Sequence, residues 1–206
     1  MTGMTEVPAS TGGLRERKKA KTRAAIRQHA LRLFREHGYG ATTIEQIAAA
    51  AEVSPATFFR YFPTKEDVVL QDDLDIVTVE ALEAQPRDLS PIAAFRGAAA
   101  AARAQISAEE AAQLAESTRL MMTVPEVRAA ALDELLRTTD VITAAIAART
   151  GRSPDDFAVR NLAGAILGVI MMATLPWHLS DGGQNVDEMF EQIDAGLAHL
   201  EAGLPL

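Results

Sequence analysis

The chain has 206 residues, enough for one or two domains with a full apolar core. It contains no cysteine, which excludes disulfides and thiolate metal sites and suits a reducing, cytoplasmic setting. A net charge of −8 argues against a nucleic-acid binder until it is divided: residues 14–65 carry 11 Lys+Arg against 4 Asp+Glu, a balance of +7, and the remainder stands at −15.

Residues 1–13, MTGMTEVPASTGG, are small and polar and read as a disordered tail. They lack the basic-then-apolar layout of a signal peptide. From Arg15 to His37 the pattern is one long helix. Ile26, Ala30, Leu33, Phe34 and His37 form its apolar stripe, and Gly38 is its stop. Its first turns are nearly all basic: Arg15, Arg17, Lys18, Lys19, Lys21 and Arg23. Such a run is either a solvated helix end or an arm that meets the phosphate backbone or a minor groove. The segment that follows favours the arm.

That segment is ATTIEQIAAAAEVSPATFFRYFPTK, residues 41–65. Thr43 and Gln46 have capping-box spacing, so a helix is predicted there, with Ile44, Ile47, Ala48 and Ala51 on one face. Ser54-Pro55 starts the next helix, because Ser is a good N-cap and Pro is preorganised for the first helical position. Phe58 and Phe62, four apart, give it an inner face, and Pro63 ends it. Two short helices across a tight turn are the grammar of a helix-turn-helix, whose second helix reads DNA. Thr57 would offer base edges a methyl and a hydroxyl, and Arg60 a bidentate contact to guanine. Phe59 is left as an exposed aromatic suited to a thymine methyl. A further helix is predicted from Thr64 to Leu82, broken by Gln85-Pro86.

Beyond it come five more predicted helices, opened by Ser90-Pro91, by Ser107 with Glu110, by Pro125, by Ser153-Pro154 and by Asn185 with Glu188. The first runs over Phe95 and the alanine tract 98–102, and the third ends at Gly151. No segment has sustained period-two alternation, so no sheet is predicted. Residues 162–179 carry no formal charge, and a buried helix is preferred there to a membrane span. Gly164 and Gly168 on it would allow close backbone approach.

Thr43, Ile44, Ile47, Ala48, Ala51, Val53, Ser54, Thr57, Phe58, Tyr61, Phe62, Pro63, Lys65 and Glu66 together resemble the DNA-binding signature of TetR-type transcriptional regulators. The likeness covers about the first third of the chain. It departs from the family pattern at Pro55 and Ala56, where Lys-Gly is frequent, and at Phe59 and Arg60, where Tyr-His is frequent. Those departures bear on the operator sequence and leave the fold alone.

The resemblance implies an all-α protein of about nine helices. Residues 14–63 would be a three-helix DNA-binding domain, and residues 64–206 a helical ligand-binding and dimerisation domain. It implies DNA contacts from Thr43, Ser54, Tyr61 and Lys65 on phosphates, from Pro55, Ala56, Thr57, Phe59 and Arg60 on the recognition helix, and from Lys19 and Arg23 on the basic arm. It also implies a homodimer through residues 154–179 and 185–201, with a double-stranded operator and a small-molecule effector as partners. Phe95, Met121, Met122, Met171, Met172 and Trp177 could line an apolar cavity or merely fill the core. Arg119 and His178 beside them could orient an anionic or carbonyl group. The run TFFRYFPTKEDVVLQDD is similar to an actinobacterial-type subgroup, some of whose members respond to acyl-coenzyme A.

No cofactor, metal site or membrane contact is expected. The four histidines are dispersed, and neither a P-loop nor a GxSxG elbow occurs. An enzyme is therefore not expected. The alternatives are an architectural DNA-binding protein that ignores ligands, and a small-molecule binder with a non-functional head.

Overall fold

The computed structural model describes residues 11–70, 74–174 and 185–205. Among them every regular element is helical, in ten segments, and the chain divides between Val68 and Val69 into two compact units.

The amino-terminal unit begins with α1 (Thr11–His37), followed by α2 (Ile44–Ala50), α3 (Pro55–Tyr61) and α4 (Lys65–Leu70). α1 starts four residues before the predicted Arg15, because a formed helix propagates at one hydrogen bond per residue and tolerates Gly12 and Gly13 at its end. Residues 1–10 of the predicted tail lie outside the described residues. Ile26, Ala30, Leu33 and Phe34 are buried as the stripe requires, joined by Leu31. His37 is exposed instead, beside Glu36 at the last turn. Gly38 ends the helix at φ +86°, a left-handed conformation that suits glycine.

The capping box at Thr43 forms in both directions: Gln46 N–H donates to Thr43 Oγ1 at 3.2 Å, and Thr43 N–H to Gln46 Oε1 at 2.8 Å. Between α2 and α3 the chain turns through Glu52, which holds φ +54° without being glycine. Val53 N–H closes that turn on Ala48 O at 2.9 Å. Ile47, Ala48, Phe58 and Phe62 are almost completely buried, and the Phe58 and Phe62 rings lie 6.0 Å apart. α2 thus packs against both α1 and α3.

The second unit contains α5 (Leu74–Glu83), α6 (Pro91–Gln105), α7 (Ala108–Thr123), α8 (Pro125–Thr150), α9 (Phe157–Thr174) and α10 (Val186–Glu201). The helix predicted over 64–82 is seen as α4 and α5, with residues 71–73, including the Asp72-Asp73 pair, outside the described residues. Ser90 and Ser107 cap α6 and α7 as predicted. Ala98 and Ala102 are fully buried on α6, and their lack of bulk lets it pack on α5 and α10. Arg96 joins α6 to α10 through Asp194 at 2.7 and 3.0 Å, and Arg103 does so through Asp187 at 2.7 Å. Arg149 on α8 donates to the Pro86 and Leu89 carbonyls and so fixes the turn before α6.

α9 starts at Phe157, three residues after the predicted Ser153-Pro154. Asp156 is the reason: its Oδ1 accepts from Ala158 N–H at 2.8 Å and Val159 N–H at 3.4 Å, so the cap falls there. α9 is long and apolar enough to cross a membrane by length and composition, yet 28% of it is buried in the single chain. The burial expected over residues 162–179 is thus confined to one face of α9 in the single chain, and residues 175–179 lie outside the described residues. One face, with Val159, Ala163, Ile166 and Ala173, packs against α8 and α10. The other presents Phe157 and Met172 at 82% and 62% exposure, and a Cβ added at Gly164 or Gly168 would meet nothing within 4 Å.

Candidate nucleic-acid interface

The recognition helix α3 is short, so its ends decide its geometry. Ser54 Oγ accepts from Thr57 N–H at 3.1 Å and lies 3.0 Å from Thr57 Oγ1, with Pro55 in the first helical position. The Thr57 hydroxyl is therefore shared with the cap, and its methyl is the part left to a base. Phe58 and Phe62 turn inward, which leaves Pro55, Ala56, Phe59 and Arg60 exposed. Phe59 keeps half its surface in water and meets Phe58 edge-on, with ring centroids 5.6 Å apart. An aromatic held by its inner neighbour at such exposure is a rigid apolar probe.

Arg60 behaves differently. Its guanidinium carbon lies 5.3 Å from the centre of the Tyr61 ring, within cation–π range. Both side chains line an open groove of about 590 Å³ together with Arg15, Lys18, Lys19 and Thr22 of α1. Four cations thus face one cleft, and among the described residues none that lines it is a carboxylate. The predicted arm residue Lys19 is in this cleft. Arg23 is not, because its guanidinium carbon sits 5.1 Å over the Phe62 ring and braces the end of α3. Thr22 gave no signal as a site residue in the sequence; its position one turn beyond Lys18 and Lys19 was the only clue.

Thr43 is an exposed cap. Lys65, expected on a phosphate, is half-buried: its Nζ donates to Tyr39 O at 2.7 Å and Thr42 O at 3.0 Å, and lies 4.0 Å from the Tyr39 ring centre. Tyr39 Oη in turn donates to Glu66 Oε1 at 2.7 Å. Burial works to raise the Glu66 pKa, but the bonds from Tyr39, its own backbone N–H and Thr64, with the nearby Lys65 charge, outweigh it and hold the carboxyl below its ordinary value. This cluster pins the α1–α2 turn to the start of α4.

In the second unit the expected ligand residues fall into separate settings. Phe95 is buried in the main core cluster, whereas Met121, Met122 and Met171 are half-buried and outside it, and Met172 is exposed on the outer face of α9, neither lining a cavity nor filling the core of the single chain. Arg119 is paired to Glu116 at 2.9 and 2.6 Å. The hydrogen bond from Arg119 to Glu116 raises the guanidinium pKa further. Trp177 and His178 lie outside the described residues. Sequence reading missed the buried polar residues Glu116 and Ser117 on α7, next to buried Thr118. Their signal is three polar side chains in the approach to buried Leu120.

The arrangement defines a helix-turn-helix module with a cationic flank, followed by a helical body. Residues 26–71 match the family described as bacterial regulatory proteins, tetR family, and residues 89–205 match the MftR C-terminal domain. The chain belongs to the TetR family and is a DNA-binding transcriptional regulator. The regulator TcmR of Streptomyces glaucescens is 35% identical over 175 residues, covering 81% of this chain and 77% of that protein. MftR of Mycobacterium tuberculosis is 25% identical, covering 89% and 95%. Among solved structures, the TetR-family repressor FadR of Thermus thermophilus in complex with lauroyl-CoA is 26% identical, covers 89% of this chain and 95% of that one, and gives a TM-score of 0.57.

Proposed function

We propose that this regulator is a homodimeric repressor, released from a near-palindromic operator by a small apolar or acyl-type effector. The observation that carries the DNA half is α3: capped at both ends, anchored by Phe58 and Phe62, and presenting Ala56, Phe59 and Arg60 outward beside the cations of α1. Residues 14–63 act as the reading head and 64–206 as the sensing and pairing body. Thr43 and Ser54 serve as caps whose hydroxyls can also meet phosphate; Tyr61 and Lys19 contribute from the groove.

Support for pairing comes from α9, whose outer face carries exposed Phe157 and Met172, two glycines with open space beside them, and Asn161 between. Residues 154–179 and 185–201 form the dimer contact in this reading. Two heads about 34–36 Å apart then meet successive turns of one duplex face. Support for an acyl effector is the similarity to a repressor that binds lauroyl-CoA. A ligand acts here only through its differential affinity for the body conformations with heads at operator spacing and away from it.

The test is selection of bound duplexes from a random pool by the full chain at fixed moderate salt, followed by titration with lauroyl-CoA. A palindromic motif and release by the thioester are expected. Recovery of no motif, with binding that vanishes as salt rises, would overturn the regulator reading; a motif insensitive to any acyl thioester would overturn the effector class.

A further inference from the structure

We propose that Arg60, although it sits on the recognition helix, is a backbone clamp: with Arg15, Lys18 and Lys19 it seats DNA phosphates in the α1–α3 groove, and base reading is left to Pro55, Ala56, Thr57 and Phe59. The inference rests on the DNA-binding role of the head and assigns labour within it.

Position alone would make Arg60 a reader. At 3.6 residues per turn it lies nearly opposite the buried Phe58–Phe62 ridge and directly beyond Ala56 on the outermost line of α3. The side chain does not extend outward along that line. Its guanidinium is drawn over the Tyr61 ring at 5.3 Å, into the groove that α1 walls on the other side. A guanidinium stacked on an aromatic face is oriented and partly immobilised, and its planar fork suits a phosphate.

The far wall is a single ridge of α1. Arg15, Lys18, Lys19 and Thr22 follow at spacings of three and four residues, so Arg15 and Lys19 stand about 6 Å apart along the axis. Thr22 donates its hydroxyl to the Lys18 carbonyl at 3.0 Å, which leaves the positive side chains and the Tyr61 phenol facing the cleft. Four like charges facing one cleft, with no carboxylate among its described lining residues, repel one another, and a polyanion relieves that repulsion. The groove is open and elongated along α1, which fits a continuous phosphodiester strand better than a compact anion.

The consequence for specificity is chemical. With Arg60 on the backbone, the outward face of α3 keeps a proline ring, two methyl groups from Ala56 and Thr57, and the Phe59 edge. Such a surface discriminates through thymine C5-methyl contacts more than through guanine hydrogen bonds.

The experiment compares wild type, Arg60→Ala, Arg60→Lys and Lys19→Ala full-length protein on the selected duplex and on a scrambled one across a salt series. The expected result is that Arg60→Ala and Lys19→Ala weaken both duplexes by the same factor, and that each lowers the slope of log K against log salt by about 0.9 per head. Arg60→Lys keeps the slope, and all variants select the wild-type motif. Relaxed selection at one base position with an unchanged slope would make Arg60 a base reader and overturn the proposal. Displacement of the duplex by inorganic phosphate at constant ionic strength would assign the groove to a free anion and overturn it too. If wild type selects no motif, the regulator reading fails by itself; the clamp is then judged on random duplex, where an unchanged Arg60→Ala slope overturns it.

Discussion

Lys65→Met separates a structural lysine from a phosphate-binding one. The substitution keeps most of the aliphatic stem and removes the ammonium, and with it the bonds to Tyr39 O and Thr42 O at 2.7 and 3.0 Å and the contact with the Tyr39 ring. Hydrogen bonds to a charged group contribute about 1.5–3 kcal/mol each, and half-burial of Lys65 favours the lower end. The two together amount to about 3 kcal/mol of head stability. The assay is amide hydrogen exchange of the full chain, read at Ile47 and Ala48 in the core of α2. A loss of that size raises the opening equilibrium by roughly 140-fold. If exchange at α2 is unchanged while operator affinity drops, the ammonium serves phosphate and its two carbonyl bonds are incidental.

Gly196→Ala should destabilise the body by about 1–3 kcal/mol, because its Cβ would stand 2.6 Å from Val169 Cγ1 on stiff, β-branched Val169; a thermal melt reads it. Gly164→Ala and Gly168→Ala have open space in the single chain, so each should stabilise the protomer by up to about 1 kcal/mol through helix propensity. In the proposed dimer they should also weaken self-association by sedimentation; unchanged association would move the interface off this face. Ser54→Ala should cost the head about 1 kcal/mol by removing the α3 cap, seen as faster exchange at Phe58. Glu66 binds its proton less readily folded than unfolded, so its contribution is fully present above the usual carboxylate pKa of about 4.3 and is lost as pH falls through the lower folded value. Glu66→Gln should flatten the acid limb of head stability between those two values, whereas an unaltered limb would show that other carboxylates govern it.

Much of this was legible because caps are local chemistry. The Thr43–Gln46 and Ser107–Glu110 boxes and the Ser54-Pro55 and Ser90-Pro91 starts each need only four neighbouring residues, and each forms as read. The start of α9 was misplaced by the same logic. Ser153-Pro154 is a valid opening, but the Asp156 carboxylate nearby accepts two backbone N–H groups and displaces it. The inward and outward sides of α3 followed from Phe58 and Phe62, as did the exposure of Phe59. What the pattern could not supply was convergence across distance. Nothing local joins Arg60 to Lys18, or Lys65 to the carbonyls of Tyr39 and Thr42, since those meetings depend on how α1 crosses the later helices. The buried Glu116 and Ser117 were missed for a related reason: polarity predicts exposure until a neighbouring element covers it.

If chains pair through α9 as proposed, its open face ties the regulator's action to its abundance. In that dimer a chain that leaves Phe157 and Met172 in water gains by finding a second copy, and a two-headed reader exists only after that meeting. Below the pairing threshold, operator occupancy then grows with the square of the number of chains in the cell. A modest change in synthesis becomes a sharper change at the promoter, with no effector involved.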